Sequence, residues 1–224
     1  MKKYIILALV TLFMSSCAEQ VTRLAQYPKM YEEKPLAIAV MPPINHTNFV
    51  EAKDYFYTTL YAPLCEKGYY VYSPMMTMEM FQAESAYDAE QFIEADLSQF
   101  RKVLGADAAM FTIIKSWKRN KLGGRLTAGV EYILRSTKTG ETLYHREGLI
   151  SVDTSVNSGG GGGLGALINL AATAIATSAT DKVVAGRKCS VFVLSDMPEG
   201  KYSSKFEQDQ NLPAGKSYIE KTLK

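Results

Sequence analysis

Histidine, cysteine and tryptophan are scarce in this chain: 2, 3 and 1 respectively among 224 residues. The cysteines, at positions 17, 65 and 189, form no C-x-x-C pair and cluster with neither histidine, so the spacing gives no support to a metal site. G-x-S-x-G, H-E-x-x-H and S-x-x-K are also missing, which removes three common hydrolase signatures. A strong charge of either sign is lacking, since 25 basic side chains face 23 acidic ones. Nucleic-acid binders usually carry a clear basic excess. No basic run here interleaves with aromatics, so no nucleic-acid partner is expected.

What is present begins at the N-terminus. Lys2 and Lys3 precede an apolar run from Tyr4 to Phe13. That run suits the core of a signal peptide and is too short to span a bilayer. Met14, Ser15 and Ser16 lead into Cys17, with small residues at the two positions before it. A plain secretory peptide would end in an A-x-A-like site. The cysteine in its place resembles the bacterial lipobox, where the thiol takes a diacylglyceryl group, the peptide is cut before the cysteine and the new amine is acylated. Several chains are needed because one chain binds membranes only marginally, at ~0.8 kcal/mol per buried methylene. Residues 1–16 are therefore the expected signal peptide and Cys17 the expected lipidation site, attaching the chain to a membrane. Ala18 follows rather than Asp, which by the sorting rule for such lipoproteins points to the outer membrane, facing the periplasm. Losing Lys2 and Lys3 leaves 23 basic side chains against 23 acidic ones. Cys65 and Cys189 then remain in an oxidising compartment. A disulfide between them is one alternative and two free thiols the other, because separation in sequence does not give separation in space.

The length suits one domain with a real core. Residues 17–34 are polar with little periodicity and read as a tether, with the solvated pair Glu32-Glu33 near its end. The domain then runs over 35–195, and 196–224 form a C-terminal tail. Leu36 to Met41 is a continuous apolar run stopped by Pro42 and Pro43, as in a buried central strand. From Val50 the period changes: Ala52, Phe56, Leu60 and Leu64 fall four apart, predicting a helix that Pro63 disturbs and Gly68 ends. "YYVY" (69–72) is a short strand. Strand, helix and strand with short links predict a βαβ unit with parallel strands.

"MMTMEMFQAES" (75–85) predicts a short helix burying Met76, Met80 and Phe81, core fillers rather than metal ligands. Ile93, Leu97, Phe100 and Leu104 predict another helix, closed by Gly105. Residues 107–118, 125–136 and 142–153 read as three strands joined by tight turns, an antiparallel meander. The expected fold is α/β, a single domain with a mixed sheet and helices packed mainly on one face.

The glycine run at 159–163 is the oddest stretch. Gly160, Gly162 and Gly165 satisfy G-x-G-x-x-G, but five consecutive glycines satisfy many patterns, and no P-loop Lys-Ser/Thr follows. A flexible linker into a helix is the better reading, and no cofactor is expected. That helix, Leu164 to Thr180, is uncharged, with an apolar stripe through Leu167, Ile168 and Ile175 and small residues such as Ala172 and Ala176 opposite. Its Ala, Ser, Thr and Asn content gains little from lipid, so packing on the sheet and against another subunit is favoured over a membrane span. His46, in the loop after the first strand, is the position a catalytic base would take, but its neighbours Asn45, Thr47 and Asn48 explain a turn equally well. His145 reads as a strand residue, and no catalytic residue is assigned.

Residues 38–74 resemble a family of bacterial lipoproteins whose namesake is a meningococcal genome-derived antigen. The shared features are Pro42-Pro43 and Asn45, Pro63-Leu64 ahead of Gly68-Tyr69-Tyr70-Val71, Leu104 to Ala108, the Lys138-Thr139-Gly140-Glu141 turn, and "DMPEGKYSSKF" at 196–206. The resemblance covers most of 36–206. It implies an α/β domain similar to the N-terminal domain of TolB and to the curli secretion-channel lipoprotein. It implies no established catalytic residue, and it implies membership of an envelope complex. The leading expectation is a lipid-anchored, non-enzymatic envelope protein that self-associates or joins other envelope lipoproteins. The alternatives are a periplasmic hydrolase using the loop around His46 and an oligomeric membrane-inserting channel subunit.

Overall fold

The computed structural model describes residues 20–83, 89–120, 125–153 and 182–223. Cys17 with the expected signal peptide, the expected turn at 121–124, and the glycine run with the helix expected after it lie outside these residues. The described elements run α1 (Arg23–Gln26), α2 (Pro28–Glu33), β1 (Ala37–Val40), β2 (Ile44–Asn45), α3 (Ala52–Glu66), β3 (Tyr70–Val71) and α4 (Pro74–Ala83). A 3-10 turn (Glu90–Phe92) and α5 (Ser98–Leu104) follow, then β4 (Ala108–Asn120), β5 (Arg125–Ser136), β6 (Thr142–Asp153), α6 (Lys182–Val193) and β7 (Tyr218–Leu223).

One mixed sheet carries the domain, in the order β3-β1-β4-β5-β6-β7, with β2 also pairing β4. β1 pairs in parallel with β3 and β4, so β1-α3-β3 is the expected βαβ unit. β4, β5 and β6 form the antiparallel meander, with Met110 opposite Leu134 and Leu134 opposite Tyr144. The main core lies where α3 and α6 cover one face. Phe56, Leu60, Leu64, Cys189 and Val193 meet Met110, Ile114, Val130 and Tyr132 there. The other face carries a smaller cluster of Met41, Phe81, Leu97, Ala109 and Phe111 beneath α4 and α5. Alternate residues of β4 thus feed two clusters, the reason its first half reads as apolar throughout.

Four expectations are corrected. In α4 it is Thr77, fully buried, that faces the core, while Met76 is exposed. The Thr77 hydroxyl lies 2.7 Å from the Tyr57 hydroxyl, so a polar residue is satisfied where a methionine was expected. The helix expected from Ile93 starts only at Ser98, because Asp96 accepts from the Ser98 amide and hydroxyl at 2.9 and 2.7 Å and turns the chain there. Residues 22–34 are not a free tether, since Tyr27, Met30 and Tyr31 are buried in the domain. Residues 196–223 are likewise packed: Met197 is fully buried, and β7 pairs in parallel with β6 from Glu147 opposite Tyr218 to Val152 opposite Leu223. The first segment packs α2 on β6, and the second extends the sheet beyond β6.

Candidate functional site

The site begins at the N-terminal segment. Thr22 caps α1 by accepting from the Ala25 amide at 3.3 Å. Pro28 opens α2, and Lys34 closes it with a left-handed φ of 47°. Between the two helices Tyr27 turns inward and meets the Tyr144 ring at 4.8 Å.

Beneath that ring pair lies a saturated polar knot. Asp196 Oδ2 accepts from the Tyr27 hydroxyl at 2.7 Å and from the Gly215 amide at 2.9 Å. Asp196 Oδ1 accepts from Arg146 Nη1 at 2.6 Å, and the Tyr144 hydroxyl lies 2.9 Å from the same oxygen. Arg146 also donates to the carbonyls of Val193 and Lys216, at 3.0 and 2.9 Å. Arg146 and Asp196 are 4% and 5% exposed, so this is a buried ion pair with every lone pair engaged. Burial, and then the facing Asp196 carboxylate, hold the Tyr27 phenol far above its ordinary range, so it stays a donor. Five parts of the chain meet here: α1–α2, β6, the end of α6, the loop after it, and the segment before β7.

A second acid extends the clamp. Asp209, 2% exposed, accepts from Arg23 Nη1 at 3.1 Å and from the Glu199 amide at 2.9 Å. Arg23 and Leu24 donate their amides to the carbonyls of Leu212 and Gln210, Ala214 donates to Val21, and Thr22 bridges Pro213. At the other end of α2, Glu33 accepts from the Ser136 and Thr139 hydroxyls at 2.6 and 2.8 Å. Glu33, expected to be solvated, is thus a fastening of α2 to the β5–β6 turn. None of this was readable beforehand, because the knot's members lie in five separate stretches. The one local signal was a buried-type residue pattern in 27–31, "YPKMY", inside a polar segment.

The residues singled out from sequence are not brought together. His46 Nε2 lies 3.1 Å from Glu90, with both side chains 54% exposed. Asn45 Oδ1 accepts from the Thr47 amide and hydroxyl, and its Nδ2 donates to the Phe49 carbonyl, so this loop is the side-chain-stabilised turn expected. His145 pairs with Glu131 at 2.6 Å on an exposed strand position. Among the described residues no cluster of His, Cys, Asp and Glu is arranged to hold a metal. No helix among them is long and apolar enough to cross a membrane.

Cys65 and Cys189 are both free, on the adjacent helices α3 and α6. This corrects the disulfide alternative: Cys189 packs as an apolar residue in the main core, and burial pushes its thiol up to about 12.

A family model described as "Putative lipoprotein GNA1162-like" matches residues 25–200. The lipoprotein NMB1124/NMB1162 of Neisseria meningitidis serogroup B is 27% identical over 184 residues, covering 81% of this chain and 85% of that protein. The crystal structure of lipoprotein GNA1162 from Neisseria meningitidis superposes with a TM-score of 0.49 at 23% identity, covering 63% of this chain and 99% of that one. A PelC dodecamer from Paraburkholderia phytofirmans gives a TM-score of 0.42 at 13% identity, over 72% of this chain and 87% of that one.

Proposed function

The chain belongs to the GNA1162-like lipoprotein family, and we propose that it is a lipid-anchored, non-enzymatic component of the cell envelope. In this reading Cys17 carries the acyl groups, Ala18 directs the protein to the outer membrane, and the domain faces the periplasm. It works by assembling with copies of itself and with other envelope lipoproteins. The exposed apolar residues Val184 and Val191 on α6 are consistent with such contacts.

The observation that carries the reading is the clamp at the N-terminal segment. Asp196 and Asp209 hold Tyr27 and Arg23 to the body of the domain. From Cys17 to Thr22 the chain can span at most ~18 Å, at 3.3–3.6 Å per residue. A lipid on Cys17 would therefore hold the folded domain against the bilayer, giving it a fixed face toward the membrane and another toward partners. Beside His46 stands Glu90, 3.1 Å away, but both side chains are 54% exposed, and the polar groups of Asn45 and Thr47 are spent on the turn.

The test is metabolic labelling with a tagged fatty acid. Wild type should take up label and Cys17→Ser should not, with the variant found as uncleaved precursor. Equal label on both proteins would remove the lipoprotein reading.

A further inference from the structure

Three large apolar side chains stand exposed around the point where the described chain begins: Val21 at 52%, Leu24 at 41% and Leu212 at 47%. They come from two distant stretches, brought side by side by the backbone bonds between residues 21–24 and 210–214. Ala25 and Pro213 add exposed apolar surface. Burying such a group has a clear driving force, and nothing among the described residues covers it.

The described stretches that carry this group are basic. Residues 20–31 and 210–219 contain no acidic residue. Glu19 lies two residues before Val21, and among the described residues the acid nearest in sequence, Asp209, is 2% exposed and committed to Arg23. Lys216 is exposed beside the group. An apolar cluster whose described flanking stretches, 20–31 and 210–219, carry cations and no acid suits the acyl–headgroup boundary of a bilayer containing anionic lipid. Its place matches too, because Val21 lies four residues after Cys17, within ~14 Å of chain at 3.3–3.6 Å per residue.

We infer that Val21, Leu24 and Leu212 form a membrane-docking face that sits in the interfacial layer of the bilayer next to the lipid anchor. This rests on the lipid-anchored reading and adds to it an orientation. The several acyl chains on Cys17 already suffice for stable anchoring, so the face adds a second, reversible contact that sets the orientation of the domain. The domain then stands with α1 down. Val50, 74% exposed ahead of α3, points to the far end of the sheet, where Phe49 stacks on Trp117.

The test uses the full acylated chain reconstituted in vesicles of phosphatidylethanolamine and phosphatidylglycerol, a fraction of the lipid carrying bromine on its acyl chains. Trp117 is the chain's one tryptophan, so Trp117→Phe gives a dark background into which Leu24→Trp, Leu212→Trp or Val50→Trp is placed as a reporter. Circular dichroism checks the fold, and two docking reporters guard against one failing to fold. Flotation with the vesicles reads the anchor separately. The expected result is that all proteins float, that Trp at 24 and 212 loses most of its emission to shallow bromine, and that Trp at 50 keeps its emission. Flotation without quenching at 24 and 212 overturns the docking face and leaves the anchor standing. Equal quenching at 50 overturns the orientation, and failure to float overturns both readings.

Discussion

The Tyr27 hydroxyl donates to Asp196 at 2.7 Å across 169 residues of chain. That bond makes the N-terminal segment a structural part of the domain. Asp196 simultaneously neutralises the buried guanidinium of Arg146, so removing either tyrosine or acid has unequal consequences. Asp196→Ala strands a buried cation and should cost ~3–5 kcal/mol. Tyr27→Phe removes one hydrogen bond and should cost about 1 kcal/mol. Urea unfolding of the two variants checks both. Equal small losses would mean that the Arg146 charge is solvated.

Gly68 shows a second long-range dependence. Its φ is +86°, and a Cβ there would lie 2.3 Å from the Ser203 amide nitrogen. The approach is close because Gly200 donates to Lys67 and Tyr202 donates to Gly68. Gly68→Ala should destabilise by more than ~1 kcal/mol, through both the left-handed backbone and the clash. Thermal unfolding reads it, and a neutral result would show that the 200–203 loop yields freely.

The βαβ unit and the meander were legible because their signals are local. Apolar runs, four-residue spacing and the turn glycine Gly140, at φ 74°, all act within a few residues. Apart from the apolar pattern at 27–31 the clamp was not legible, because Arg146, Asp196 and Asp209 each look like an ordinary surface-type residue in their own stretch. Only the fold reveals that they share one buried volume. The same limit explains Thr77, whose partner Tyr57 lies 20 residues away, and β7, which gains its strand character from pairing with β6.

The free thiols give a chemical prediction. Cys189 is 1% exposed with its thiol pushed up to about 12 by burial, while Cys65 is only partly buried. A thiol reagent at neutral pH should modify Cys65 in the native protein and reach Cys189 only after unfolding. Both should react in denaturant without prior reduction. Failure of both to react under those conditions would restore the disulfide.

Acid sensitivity should centre in part on Glu131. Burial alone would raise its carboxyl, but Lys115 and His145, each hydrogen-bonded to it, outweigh that and lower it below the ordinary 4.5. Lys115 also bonds Glu147 at 2.8 Å, so three strands share this charge cluster. A depressed folded value means the stabilisation is complete above the ordinary carboxyl range and is lost as pH falls through the folded one. Glu131→Gln should therefore be less stable than wild type at neutral pH, with the difference shrinking in acid. A difference that stays constant from neutral pH to pH 3 would exclude the charge as its source.

Hydrogen exchange over residues 22–34 in the full acylated chain, held in mild detergent, tests the clamped N-terminal segment most directly. The amides of Arg23, Leu24, Tyr27, Met30 and Lys34 donate to Leu212, Gln210, Arg23, Tyr27 and Met30 respectively. If the segment is built into the domain, these amides exchange far more slowly than free peptide, and Asp196→Ala releases them. Exchange at the free-peptide rate in wild type would contradict the clamp, and with it the fixed face toward the membrane.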